Sequence, residues 1–71
     1  MQILVFKTDI REVADHSSVR PLLDTHPGIG RWSIDSEDCD CVLRVEGTGI
    51  TPENVIDLIS GAGFTCCELP D

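Results

Sequence analysis

Twice in 71 residues the chain runs through the same order of elements: an alternating apolar strand, a helix with a Val/Leu stripe, a Gly beside an apolar residue, and a second strand. In the first half, residues 2–8 (QILVFKT) have strand composition, with Leu4 and Phe6 on one face and Ile3, Val5 and Lys7 on the other. A polar connection, DIREVADHSS, leads to Val19, Leu22, Leu23 and His26 at helical spacing, and His26-Pro-Gly28 closes that helix. Pro21 lacks an N–H for the i−4 bond, so it must lie near the helix start or kink it; the start is expected between Val13 and Ser18. Ile29 to Asp35 alternates through Trp32 and Ile34, as a half-buried strand with both side chains toward the helices.

The second half opens on an acidic stretch, residues 35–40, read as a hairpin turn. Cys41, Leu43 and Val45 then alternate with Val42, Arg44 and Glu46 as a third strand, ended by Gly47-Thr-Gly49. Thr51-Pro-Glu-Asn is a helix start: Thr51 as N-cap, Pro52 in the first helical position, Glu53 in the first turn. Val55, Ile56, Leu58, Ile59 and Ala62 supply its apolar stripe, Gly61 and Gly63 offer stops, and residues 64–69 form a last short strand before Pro70. Two right-handed βαβ units in this βαββαβ order interleave as a four-stranded antiparallel sheet, spatial order 4-1-3-2, with both helices on one face. The expectation is a single α+β domain of ferredoxin-like sandwich type over residues 1–71.

A chain this short buries only about 60% of its extended-state surface, so one thin core is all it holds. The formal charge of −8 argues against nucleic acid and anionic membranes, since there is no basic stripe to displace counterions from phosphate. The N-terminal run MQILVFKTD is too short to span a membrane and lacks the basic region of a signal peptide, which places the chain in the cytoplasm. In that compartment its four cysteines read as reduced thiols or metal ligands, not disulfides.

Several phrases extend this reading. VRPLLDTHPGI before the second strand, the alternating strand pair after it, and TPENVIDLISGAGF with its Ala-Gly-aromatic turn run through nearly the whole chain. In these, and in length and element order, the chain resembles the heavy-metal-associated domain of copper chaperones and metal-pumping ATPases. The phrases specify packing; the chemistry of that family lies in a Met-Thr-Cys-x-x-Cys loop after the first strand, whose two thiolates hold Cu(I) almost linearly. Here that stretch is TDIREVADHSS. The resemblance puts Ile10 at the buried Met position and the thiol positions near Glu12 and Asp15, to within a residue, with no cysteine among them. Thiolate transfer through this loop therefore does not carry over, and none of these residues inherits a ligand role.

The chain does carry thiols and carboxylates elsewhere, most densely in DSEDCDC, residues 35–41. The topology gathers Asp9, Glu12, Asp15, His16, Asp35, Glu37, Asp38, Cys39, Asp40, Cys41, Cys66 and Cys67 at one end of the sheet. Cys41 shares a face with Leu43 and Val45 and reads as a small core residue; Cys66 has a similar claim, while Cys67 points to the open face. Strands three and four stand about 9–10 Å apart, beyond the roughly 7 Å Cα separation a disulfide allows, so no bridge joins Cys39 or Cys41 to Cys66 or Cys67 within one chain. A Zn or Cu(I) site from Cys39 and Cys41, completed by His16, Cys66 or a second chain, is the chemical alternative, although Cys-x-Cys is not the spacing of a structural zinc knuckle. DSEDCD lacks the Gly-centred loop of an EF-hand and reads as a solvated turn or a weak cation site.

No nucleophile has a convergent base, and Asp15 and His16, being adjacent, do not face a common substrate, so no catalytic residue is assigned. His26 near a helix C-terminus suits the helix dipole as a cation. The uncovered sheet face collects Ile3, Val5, Val42 and Cys67 among Lys7, Arg31, Ser33, Arg44 and Glu46. It serves either as a solvated surface, with Lys7–Glu46 or Arg44–Glu46 pairs, or as a homodimer or partner patch. The first functional expectation is a non-catalytic binding module, with no required cofactor, whose acidic end meets a basic protein surface or a weakly held cation. The alternative is a metal carrier or sensor built on Cys39 and Cys41.

Overall fold

The computed structural model describes residues 2–35 and 40–69. In chain order they form β1 (Gln2–Thr8), α1 (Val13–Asp24), β2 (Ile29–Asp35), β3 (Val42–Gly47), α2 (Pro52–Gly61) and β4 (Cys66–Glu68). The strands make one antiparallel sheet in the order β2-β3-β1-β4, which is the expected 4-1-3-2 counted from the opposite edge. The fold is the ferredoxin-like α+β sandwich.

Alternation decides what the sheet buries. Phe6 is fully buried and Leu4 half-buried from β1, and Leu43 and Val45 are buried from β3. They meet Val19 and Leu23 of α1 and Val55 and Ile59 of α2 in one cluster, closed at its ends by Ile10 and Ile50. Each such side chain removed from water contributes about 1.5–3 kcal/mol, which is how a chain this small holds a single core.

The helices start where side chains take over the free N–H groups of a first turn. Thr51 Oγ1 accepts from Asn54 N–H at 3.3 Å while Asn54 Oδ1 accepts from Thr51 N–H at 3.2 Å, a reciprocal cap ahead of Pro52. α2 ends at Gly61, and two residues on Gly63, with a φ of +95°, lets Phe64 N–H turn back to Ile59 O at 3.2 Å. α1 begins at Val13, the early limit of the expected range, so Pro21 sits well inside it. Its exposed position lets the Ser17 carbonyl, left without its helical donor, meet water.

At the far end of the sheet two turns lock together. Thr48 N–H donates to Gly28 O at 3.0 Å, and a Cβ on Gly47 would lie 2.0 Å from that same oxygen.

Three local expectations need correction. β3 starts at Val42, not Cys41, because Cys41 has φ +46° and cannot extend the ladder. β4 covers only Cys66–Glu68, although Leu69 N–H still donates to Val5 O at 2.9 Å. Among the described residues, Glu46 pairs with Arg31 at 3.9 Å and Lys7 with Asp40 at 3.6 Å, in place of Lys7–Glu46 or Arg44–Glu46. Register explains the change: Glu46 lies between Ile3 and Arg31, so Arg31 is its direct cross-strand neighbour and Lys7 is four residues away along β1. The core of the expected hairpin, residues 36–39, lies outside the described residues.

Candidate functional site

The end of β1 organises the rim. Thr8 is buried at 5% exposure although its side chain is polar. Its hydroxyl donates to Cys41 O at 2.7 Å and accepts from Ile10 N–H at 3.2 Å, and its own N–H donates to Asp40 O at 3.1 Å. On the other side of β1, Thr8 pairs with Cys66 and Lys7 with Cys67. One threonine thus joins the start of β3, the start of the first connection and β4.

The connection after β1 is pinned twice more. Ile10 is fully buried, plugging the core from above. Asp9 Oδ1 accepts from Thr65 N–H at 2.9 Å, tying the connection to the turn before β4. Asp15 Oδ2 then accepts from Arg11 N–H at 3.3 Å and Glu12 N–H at 3.2 Å, so this carboxylate organises the first turn of α1. An anion there also faces the positive end of the helix dipole. Val13, beside it, is 82% exposed among these acids.

The sequence-predicted site residues fall as follows. Cys41 is buried beneath the rim, as its core reading requires, with its carbonyl held by Thr8. Cys66 is half-buried against the core; burial, and secondarily the neighbouring Cys67, push its thiol up from 9.0 to about 11, so it is protonated at neutral pH. Cys67 is exposed, as expected, and Cys41, Cys66 and Cys67 are all free thiols. Cys41 and Cys66 flank β1 on opposite sides, about two strand spacings or 9–10 Å apart. His16 lies on α1 with its Nε2 buried and, among the described residues, without a hydrogen-bond partner. Cys39, Glu37 and Asp38 lie outside the described residues. Among the described residues, no three His, Cys, Asp or Glu side chains come together as a metal site.

Asp15 is committed to the helix start and does not orient His16. His26 Nδ1 accepts from Gly28 N–H at 3.0 Å, so the ring closes the turn after α1. On the open face Ser33, Asp35, Val42 and Arg44 line a cavity of about 320 Å³. Sequence reasoning missed Thr8 entirely. The one available signal was a threonine continuing the inward alternation of Leu4 and Phe6, a position where a hydroxyl must find partners.

The N-terminal domain of PacS from Synechocystis superposes with a TM-score of 0.83 at 20% identity, covering 99% of this chain and all of that one. A yeast copper transporter domain, solved in apo and Cu(I)-loaded states, gives 0.83 at 16% identity over 100% and 99%. The first domain of the human copper chaperone CCS, in its copper(I)-loaded form, gives 0.78 at 21% over 93% and 89%. In fold, the chain is a heavy-metal-associated-like domain. No protein-family model matches the chain, and no curated protein matches it in sequence. The likeness to the heavy-metal-associated domains is therefore one of architecture, and the ten residues 9–18, between β1 and the middle of α1, contain no cysteine. Among the described residues, no helix is long and apolar enough to cross a membrane.

Proposed function

We propose that this chain is a non-catalytic binding module of the cytoplasm, with the heavy-metal-associated architecture but without its thiol chemistry, whose acidic rim docks a basic protein surface and holds cations only weakly. The observation that carries this reading is the Asp15 carboxylate at the first turn of α1, where the resembled family keeps a thiolate. There it bonds backbone N–H groups, so its role is to hold the rim in shape. Asp9 and Glu12 lie on the same connection, whose start is tied through Thr8 to Asp40, and Val13 is exposed next to Glu12: an apolar contact with acidic neighbours along the chain, suited to docking a cationic partner. The open face, crossed by Arg31–Glu46 and edged by Lys7–Asp40, suits a solvated surface.

Tetralysine added to isotope-labelled protein tests the docking. The expected result is amide shifts confined to residues 9–15 and the Asp40 neighbourhood, erased by salt. Equal shifts along the exposed acids of α2, Glu53 and Asp57, would reduce the effect to net charge and remove the docking site.

A second reading, a metal carrier using Cys39 and Cys41 with His16, Cys66 or a second chain, draws support from the buried and unpartnered Nε2 of His16. Titration of the reduced protein with Zn or Cu(I) separates the two. One-to-one sub-micromolar binding that disappears in the Cys39→Ser/Cys41→Ser double variant would replace the first reading with the second.

A further inference from the structure

Among the described residues no strand pairs with the outer edge of β2, and the sequence of that edge is complementary to itself. Within the sheet, Leu69 N–H donates to Val5 O, so the odd residues of β1 turn their backbone groups toward β4 and the even ones toward β3. Thr8 N–H, which reaches Asp40 O, agrees. Carried through the register, Leu43 and Val45 then bond toward β1, and Val42, Arg44 and Glu46 toward β2, in keeping with Thr48 N–H on Gly28 O. Their partners Arg31, Ser33 and Asp35 therefore spend their backbone groups on β3. Trp32 and Ile34 direct theirs outward, where no strand among the described residues pairs with them.

A second copy can meet this edge antiparallel about a twofold axis only where outward groups face outward groups. Three centres on the regular part of the strand satisfy that: Trp32, Ser33 and Ile34. Centring on Trp32 sets Arg31 against Ser33, and centring on Ile34 sets Asp35 against Ser33. Centring on Ser33 sets Arg31 against Asp35 of the other copy, twice, in close non-hydrogen-bonded pairs, and exchanges backbone hydrogen bonds between Trp32 and Ile34, twice. It also lays each indole against an isoleucine on the helix-facing side.

From this self-complementary register we infer that the protein associates with itself through β2, forming a continuous eight-stranded sheet about a twofold axis at Ser33. The edge is prepared for it. Trp32 Nε1 donates to Asp24 Oδ1 at 2.7 Å, which fixes the indole beside the edge. The Arg31 side chain is 82% exposed and only loosely paired with Glu46, so it reaches a second carboxylate without leaving the first. The β-bulge between Ile29 and Arg31 ends the pairing on that side. So short a contact lies below the roughly 1,200 Å² of stable complexes, and the dimer is accordingly weak. The formal charge of −8 on each copy opposes it at low ionic strength, and at about 0.15 M salt the repulsion is screened within about 8 Å.

The test is sedimentation equilibrium at that salt from about 10 µM to about 1 mM chain, the range in which weak dimers populate. The wild type is expected to approach twice 7.8 kDa at the upper end. Arg31→Asp and Asp35→Arg should each remain monomeric, since each sets like charges in opposition. Mixed in equal amounts they should associate, because the two substituted side chains then face each other with opposite charge at one site, while the other site keeps its native pairing of Arg31 with Asp35. A monomeric wild type throughout, association of either variant alone, or a mixture of folded variants that stays monomeric would each overturn the inference. Hydrogen exchange on the wild type gives a second reading that needs no variant. The amides of Trp32 and Ile34 should slow as concentration rises while those of Arg31, Ser33 and Asp35 stay constant; uniform behaviour of all five would reject the β2 edge.

Discussion

Replacing Thr8 with Val keeps the shape of the side chain and removes a buried hydroxyl that bonds in two directions. Cys41 O then loses its donor and Ile10 N–H its acceptor, both beneath a rim that admits little water. Each buried polar group left unpaired costs about 1–3 kcal/mol. Partial hydration at the sheet end favours the lower half of that range, so the variant should lose about 2–4 kcal/mol. A domain of this length is stable by about 4–10 kcal/mol, so the loss is a large share of the whole. With about 4–8 °C per kcal/mol for a small domain, the melting temperature should fall by at least about 8 °C. Thr8→Ser retains both hydrogen bonds and gives up one buried methyl, a loss of about 1 kcal/mol. Thermal and urea unfolding followed by far-ultraviolet circular dichroism would measure both. If Thr8→Val melts within a few degrees of wild type, or Thr8→Ser is the more damaging change, then the hydroxyl does not hold the rim together and the argument built on it is wrong.

The three described thiols should separate kinetically: with a disulfide reagent at about pH 8, exposed Cys67 should react first of the three, Cys66 far more slowly, and Cys41 only as the protein unfolds. Because Cys66 titrates near 11 in the folded chain against 9.0 in the unfolded one, the unfolded state sheds that proton first. Stability should therefore fall as pH rises from 9 to 11, a slope that Cys66→Ala would flatten in urea titrations; a slope unchanged by the substitution would place its origin elsewhere. Gly47→Ala would drive a methyl to 2.0 Å from Gly28 O, with backbone on both sides. It should cost more than about 2 kcal/mol, whereas Ala at exposed Gly61, which meets nothing within 4 Å and gains helix propensity, should be neutral or stabilising by up to about 1 kcal/mol.

Much of the architecture can be read from the residues in order. Apolar spacing separates strands from helices, Thr51-Pro52 marks where α2 begins, and two βαβ halves admit few arrangements once handedness is respected. The placement of Cys41, Cys66 and Cys67 follows from alternation in the same way, and so does Trp32 on the helix side. These features depend on periodicities of two and 3.6 residues, which neighbours along the chain carry by themselves.

What the linear order could not contain is any choice between partners distant along it. That Thr8 would hold Cys41, that Glu46 would take Arg31 over Arg44 or Lys7, that Asp9 would bond Thr65 and Asp24 the indole of Trp32, each depends on register or helix placement to within a residue. A shift of one position in β1 against β3 would turn Thr8 and its strand neighbours to the other face while leaving the composition of each strand unchanged. The positive φ of Cys41 belongs with these: nothing in the residue asks for it, and it exists because the chain must enter β3 with its carbonyl already aimed at Thr8. Local pattern determined which elements form and which face of each is buried; only the assembled sheet, by fixing which residue stands opposite which, decided the chemistry of the rim.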